Sequence, residues 1–172
     1  MFNTSIERVV EVFMKKPTKG LQIREVIRET KLGNPTVMRV LDKLTKKNMI
    51  KKIPGRIYPY YEGNMENFAF KKLKIMNITI ALEPLITEIN EILHPNCIVL
   101  FGSAAKGEDT EQSDVDLFVQ AKRKDVDTIK IEKHLERKIS LIFESDIKKV
   151  NKELRNNLAN GIVLSGYLEV LP

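Results

Sequence analysis

The run Ile98-Val99-Leu100-Phe101 stops abruptly at Gly102-Ser103, and after ten further residues Asp114-Val115-Asp116 leads into a second apolar run, Leu117-Phe118-Val119. Short apolar runs bounded in this way read as two strands, expected to be neighbours in one sheet. Side chains alternate faces along a strand, so Asp114 and Asp116 share a face, roughly 7 Å apart at about 3.3 Å rise per residue. Two carboxylates that close repel each other, and a cation between them relieves the repulsion. Mg²⁺ suits, because it takes hard oxygen ligands from one or two carboxylates together with substrate phosphates. Gly102 lets the backbone approach an anion without a Cβ in the way, and amides with a short hydroxyl such as that of Ser103 can cradle phosphate oxygens. The pattern therefore reads as a site for a magnesium-bound triphosphate.

Phe101-Gly102-Ser103 and Asp114-Val115-Asp116-Leu117 resemble the signature of the nucleotidyltransferase superfamily that includes DNA polymerase β, in its minimal branch: an apolar residue, Gly-Ser, a spacer of about ten residues, then Asp-x-Asp between apolar residues. Lys106 and Gly107 stand where relatives carry a basic residue and a glycine. The resemblance implies catalytic and metal-binding roles for Asp114 and Asp116, and nucleotide contacts from Gly102, Ser103 and Lys106. The implied cofactors are Mg²⁺ and a nucleoside triphosphate, with ATP the first choice. The run Leu158 to Tyr167 is similar to the closing segment of such domains. Active members also carry a third carboxylate on a neighbouring strand, expected here at Lys138–Phe143, and that position falls on Ser140. Glu144 shares its face but lies about 13 Å further along by strand rise, and Glu136 and Asp146 lie beyond the strand ends. Losing a general base costs about 10²–10⁴-fold in rate. The expectation is thus a domain that binds Mg-nucleotide with slow or absent transfer.

Composition frames this reading. A chain of 172 residues, 42% hydrophobic, can bury one medium core or two small ones. No apolar stretch approaches the roughly 20 residues needed to span a bilayer, and the N-terminus lacks the pattern of a signal peptide. Cys97 is the only cysteine; a lone thiol fits a reducing cytoplasm and reads as a small buried hydrophobe. His94 and His134 are isolated, which argues against a zinc site.

The net charge of +6 is unevenly divided: residues 1–80 carry 17 Lys+Arg against 7 Asp+Glu, whereas the remainder carries 12 against 16. A basic half suggests a polyanionic partner. Within it, Asn3 or Thr4 can cap a helix bearing Ile6, Val9, Val10 and Phe13. Ile23, Val26 and Ile27 mark a second helix closed by Gly33, and Asn34 caps a third with Pro35 at its first position. That helix has the core stripe Val37, Leu41 and Leu44. Residues 50–53 and 56–61, around Pro54-Gly55, read as a two-stranded ribbon.

Three helices and a basic hairpin over roughly residues 4–62 resemble a winged helix-turn-helix domain. The resemblance implies double-stranded DNA as partner. Thr36, Arg39 and Lys43 would lie on the recognition helix, with Arg39 the candidate for a guanine contact. Lys43, Lys51, Lys52 and Arg56 would neutralise phosphates. Tyr58, Tyr60 and Tyr61 read as packing within the wing.

The expected architecture is α+β: a winged helix over 1–63, a helical connector over 64–83, and a nucleotidyltransferase-like mixed sheet with flanking helices over 84–172. Phe68, Leu73, Met76 and Ile80 are spaced for the connector helix, and Pro84 is expected to open another, packed by Leu85, Ile86, Ile89 and Ile92. Surplus apolar residues there would suit a homodimer seam. Two function classes follow. One is a DNA-binding regulator with a nucleotide-binding module; the other is an enzyme moving a nucleoside monophosphate onto a hydroxyl of a protein or small molecule.

Overall fold

The computed structural model describes residues 4–169, and the chain divides into two compact units between Leu73 and Lys74. In the first unit, helix α1 (Ser5–Lys15) begins at a reciprocal cap: Glu7 N donates to Thr4 Oγ1 at 3.3 Å, and Thr4 N donates to Glu7 Oε2 at 2.8 Å. Asn3, the alternative cap, lies outside the described residues. Helix α2 (Ile23–Thr30) ends on Lys31 in the left-handed region at φ 54°, not on Gly33. Gly33 instead is the extended cap of α3 (Asn34–Lys46), so Asn34 and Pro35 form its first turn. Proline costs nothing there, because first-turn N–H groups have no partner within the helix.

Strands β1 (Ile50–Ile53) and β2 (Tyr60–Gly63) pair antiparallel, Ile50 opposite Gly63 and Ile53 opposite Tyr60. The second strand starts later than expected: Arg56 to Pro59 belong to the connection, where Pro54 and Pro59 supply no N–H to a ladder. Tyr61 is buried as expected, but Tyr58 is 66% exposed and does not pack. Val9, Phe13, Val26, Val37, Leu41, Leu44 and Ile50 form one core with Phe70. Phe13 and Phe70 are fully buried, each worth about 2–3 kcal/mol of apolar transfer.

Helix α4 (Phe68–Leu93) is continuous through Pro84, where a helix start was expected. Pro84 and Ile80, whose carbonyl loses its partner, both lie on the exposed side, where water can take the place of the missing N–H. Its buried line is Ile78, Leu82, Leu85 and Ile89, whereas Met76, Ile80 and Ile92 are exposed. Ile75, Met76, Ile78 and Ile80 spread over about half of the helix circumference, so spacing alone could not choose the face.

The sheet of the second unit contains β3 (Cys97–Phe101), β4 (Val115–Val119), β5 (Ile139–Phe143) and β6 (Ile162–Gly166) in the order β5-β4-β3-β6. Strand β3 is antiparallel to β4 and β6, while β4 and β5 are parallel. The parallel pair requires a crossover, which carries helix α6 (Ile129–Leu135). Leu82, Leu85 and Ile89 cover one face through Ile98, Leu100 and Leu117. Cys97, Val99, Phe101 and Phe118 face the other way, against Val150 and Leu158, the latter on helix α7 (Lys152–Ala159). Cys97 is the buried hydrophobe it was taken for, and burial pushes its thiol up to about 11.

An interior proline removes one helical hydrogen bond and crowds the preceding turn. Pro84→Ala should therefore raise stability by about 1–3 kcal/mol. Urea denaturation of the two proteins tests this, and an unchanged or lower midpoint would contradict it.

Candidate nucleotide site

Strand β3 delivers the chain to Gly102, which turns at φ +71° into the short helix α5 (Gly102–Lys106). The antiparallel register sets Phe101 opposite Asp116. Gly102 consequently lies against that carboxylate: a Cβ on it would come within 2.5 Å of Asp116 Oδ2. Both the positive φ and this close approach require glycine. Helix α5 ends at Gly107, φ +69°, and Glu108 N donates to Ser103 O at 2.9 Å, folding the spacer back. Ser113 Oγ accepts from Thr110 N at 2.9 Å and shapes its last turn before Asp114. Ser103 is half-buried, and Lys106 is exposed in the last turn of α5.

Asp116 is half-buried and Asp114 exposed. Burial first, and then the negative charge of Asp114, holds the Asp116 carboxyl above its ordinary range. That repulsion is what a shared cation would relieve. Two adjacent carboxylates fit the hard-oxygen, partly phosphate-supplied shell that Mg²⁺ prefers. Among the described residues no group of three or more His, Cys, Asp or Glu is placed to hold a metal.

The register sets Ser140 beside this pair. Asp116 of β4 pairs with Ser140 of the parallel β5, so their Cα atoms are about 4.8 Å apart and their side chains share a face. The nearby acids have other tasks. Glu144 Oε1 accepts from Asp146 N at 3.0 Å, and Asp146 Oδ1 accepts from Lys148 N at 3.0 Å, capping a short 3₁₀ turn. Glu136 sits at φ 57° at the end of α6. It lines a cleft of about 610 Å³ with Asp114, Glu111, Lys133, Arg137 and Lys138.

Sequence reasoning missed a buried ionic group beneath the spacer. Asp109 is fully buried between Lys74 of α4 and Arg137, which leads into β5. Lys74 Nζ lies 3.0 Å from Asp109 Oδ1, and Arg137 Nη1 donates to Asp109 Oδ2. Lys74 also donates to Gly107 O at 3.3 Å and to Asp109 O. Desolvation, opposed by Asp109, moves the Lys74 ammonium below its ordinary pKa. A signal was present: Phe70, Lys74, Ile78 and Leu82 follow at four-residue spacing, so an inward lysine called for a buried partner.

In the first unit Arg39, Lys43, Lys52 and Arg56 are exposed, and Thr36 is half-buried on α3. Arg39 and Lys43 line a hollow of about 350 Å³ with Thr4, Ser5, Ile6 and Val40. Lys51 is engaged differently, its Nζ 2.9 Å from Glu66 Oε2. That ion pair lowers the Glu66 pKa.

A mixed four-stranded sheet with a Gly-Ser turn packed on the Asp116 carboxylate is the arrangement of a nucleotidyltransferase-like domain. The family described as polymerase beta, nucleotidyltransferase matches residues 66–168, well over half of the chain, and the protein belongs to that family. No curated protein and no solved structure matches it.

Because the Asp116 pKa is raised on folding, its contribution favours the folded state at low pH and is lost as pH rises through the raised value. Asp116→Asn should therefore increase stability in EDTA at neutral pH and flatten its pH dependence across the acid range. Urea midpoints from pH 4 to 8 measure this. A variant less stable than wild type at pH 7 would show that Asp116 makes compensating contacts.

Proposed function

We propose that the second unit binds a magnesium-bound nucleoside triphosphate, with ATP the first choice, and that the first unit is a winged helix-turn-helix binding duplex DNA. On this reading the protein is a DNA-binding transcriptional regulator with a nucleotide-responsive module. The observation that carries the nucleotide half is the in-register row Phe101, Asp116, Ser140 across three strands, with Gly102 packed on the Asp116 carboxylate. Asp114 and Asp116 hold the cation. The amides at Gly102 and Ser103, with the Ser103 hydroxyl, receive phosphate oxygens, and Lys106 adds positive charge at the rim. Bound Mg²⁺ would neutralise phosphate charge and polarise the phosphorus centre. The step that this chain serves poorly is removal of the proton from an attacking hydroxyl, since Ser140 stands where a base is needed.

Expected outcomes follow for the full-length protein. It should bind a non-hydrolysable ATP analogue in Mg²⁺ but not in EDTA, and Asp114→Asn should weaken this by about tenfold or more. Transfer of labelled nucleotide should be slow or absent, and Ser140→Asp should raise it. Robust transfer by wild type, abolished by Glu144→Gln, would instead establish an active transferase with its base elsewhere. The cleft beside Asp114, roomy enough for an acceptor, is what favours that second reading.

The DNA half is supported by the order α1-α2-α3-β1-β2 and by the exposed Arg39, Lys43, Lys52 and Arg56. Duplex affinity should fall by about 0.9 log unit per log unit of salt for each phosphate neutralised. Arg39→Ala should relax sequence preference, whereas Lys52→Ala should weaken all sequences alike and make the salt slope shallower. Absence of duplex affinity at low salt would refute this half alone.

A further inference from the structure

We propose that Asp109, clamped between Lys74 and Arg137, is the positioning residue that holds the Gly102–Ser103 turn and the carboxylate pair in their binding arrangement. The inference rests on the magnesium-nucleotide reading of the site. The ten residues between Ser103 and Asp114 contain little regular structure beyond the end of α5. Something must fix where they lie, because both walls of the site hang from their ends.

Asp109 sits near the middle of that spacer, where Lys74 and Arg137 hold it. Lys74 Nζ reaches the Asp109 side chain and the carbonyls of Gly107 and Asp109, pinning the spacer's backbone to α4. Arg137 joins the same carboxylate from the entry to β5, two residues before that strand begins. Its neighbour Lys138 accepts through its carbonyl from Val115 N at 2.9 Å, between Asp114 and Asp116. Thus the Asp109 carboxylate ties the spacer to α4 through Lys74 and to the entry of β5 through Arg137, and the residue next to Arg137 pairs with the start of β4.

Stability alone does not account for such a group. Burying three charges costs desolvation that their attraction only partly returns, and apolar residues of similar volume commonly serve as well or better. What an ionic group adds is direction: a carboxylate accepts from defined donors in one geometry. A merely apolar plug would let the spacer slide.

The test is calorimetric titration of a non-hydrolysable ATP analogue with Mg²⁺ into full-length wild type, Asp109→Asn and Lys74→Met. Ile89→Ala, which opens a cavity in the core beneath α4 about 22 Å along the helix from Lys74, serves as a destabilised comparison, with folding followed by circular dichroism. Weakening of about tenfold or more in Asp109→Asn and Lys74→Met, with Ile89→Ala binding like wild type while folded, supports the assignment. If Asp109→Asn does not fold, Lys74→Met decides alone, because it keeps the Asp109–Arg137 pair. Wild-type affinity in folded Asp109→Asn or Lys74→Met, or equal weakening in all three variants, overturns it. Failure of wild type to bind would overturn the site reading itself, a result distinct from loss in the variants only.

Discussion

The second unit depends on one constraint: the register between β3 and β4, in which Phe101 faces Asp116 and Ile98 faces Val119. All five residues of β3 are buried, as are all but Asp116 in β4. Both faces of this pair are packed, so a slip by one residue would exchange the two side-chain sets. Asp116 would then enter the core formed by Leu100 and Leu117, an uncompensated charge in an apolar interior. Hydrophobic packing therefore selects the register, and the register in turn places the carboxylate beside Gly102. The chemistry at the strand ends is positioned by residues that take no part in it.

That placement has an electrostatic cost. A half-buried Asp116 beside Asp114 is held above its ordinary pKa, so the folded chain resists the charge that its site would use. Sites often carry such local conflicts, with the surrounding core supplying the stability that they forgo. Here the supply is visible in Phe118 and Val99 behind Asp116, both fully buried. Ser140 fits the same picture, since a third carboxylate in register with Asp116 would sharpen that repulsion.

Much of this was legible in the residues. The two apolar runs, the Gly-Ser break and the Asp-x-Asp spacing led to neighbouring strands, as the register shows, whereas the place of Ser140 beside Asp116 follows from the parallel pairing of β4 and β5. The helices of the first unit were legible because their caps and stripes are local signals, although Gly33 proved to open α3 and not to close α2. What stayed hidden was non-local or ambiguous in period. Ile75, Met76, Ile78 and Ile80 are spread too widely around α4 to mark one face, and Pro84 sits on a side of the helix that meets solvent. Asp109 looks like any loop aspartate until the fold brings Lys74 and Arg137 to it from 35 residues before and 28 after.

Strand β6 closes the sheet beside β3, and its pairing shifts register between Ile98 and Val99 before ending at Gly166, φ +73°, against the carbonyl of Asn96. A bulged, five-residue edge is a poor template for another chain, because its unpaired amides do not form a regular ladder. The opposite is true of what it covers. Ile98-Val99-Leu100-Phe101 is uncharged, apolar and rich in β-branched residues, the composition that stacks readily into intermolecular sheets. The strand carrying no chemistry at all thus acts as the shield of the one that leads into it, since loss of β6 would leave an apolar edge of β3 open to pairing.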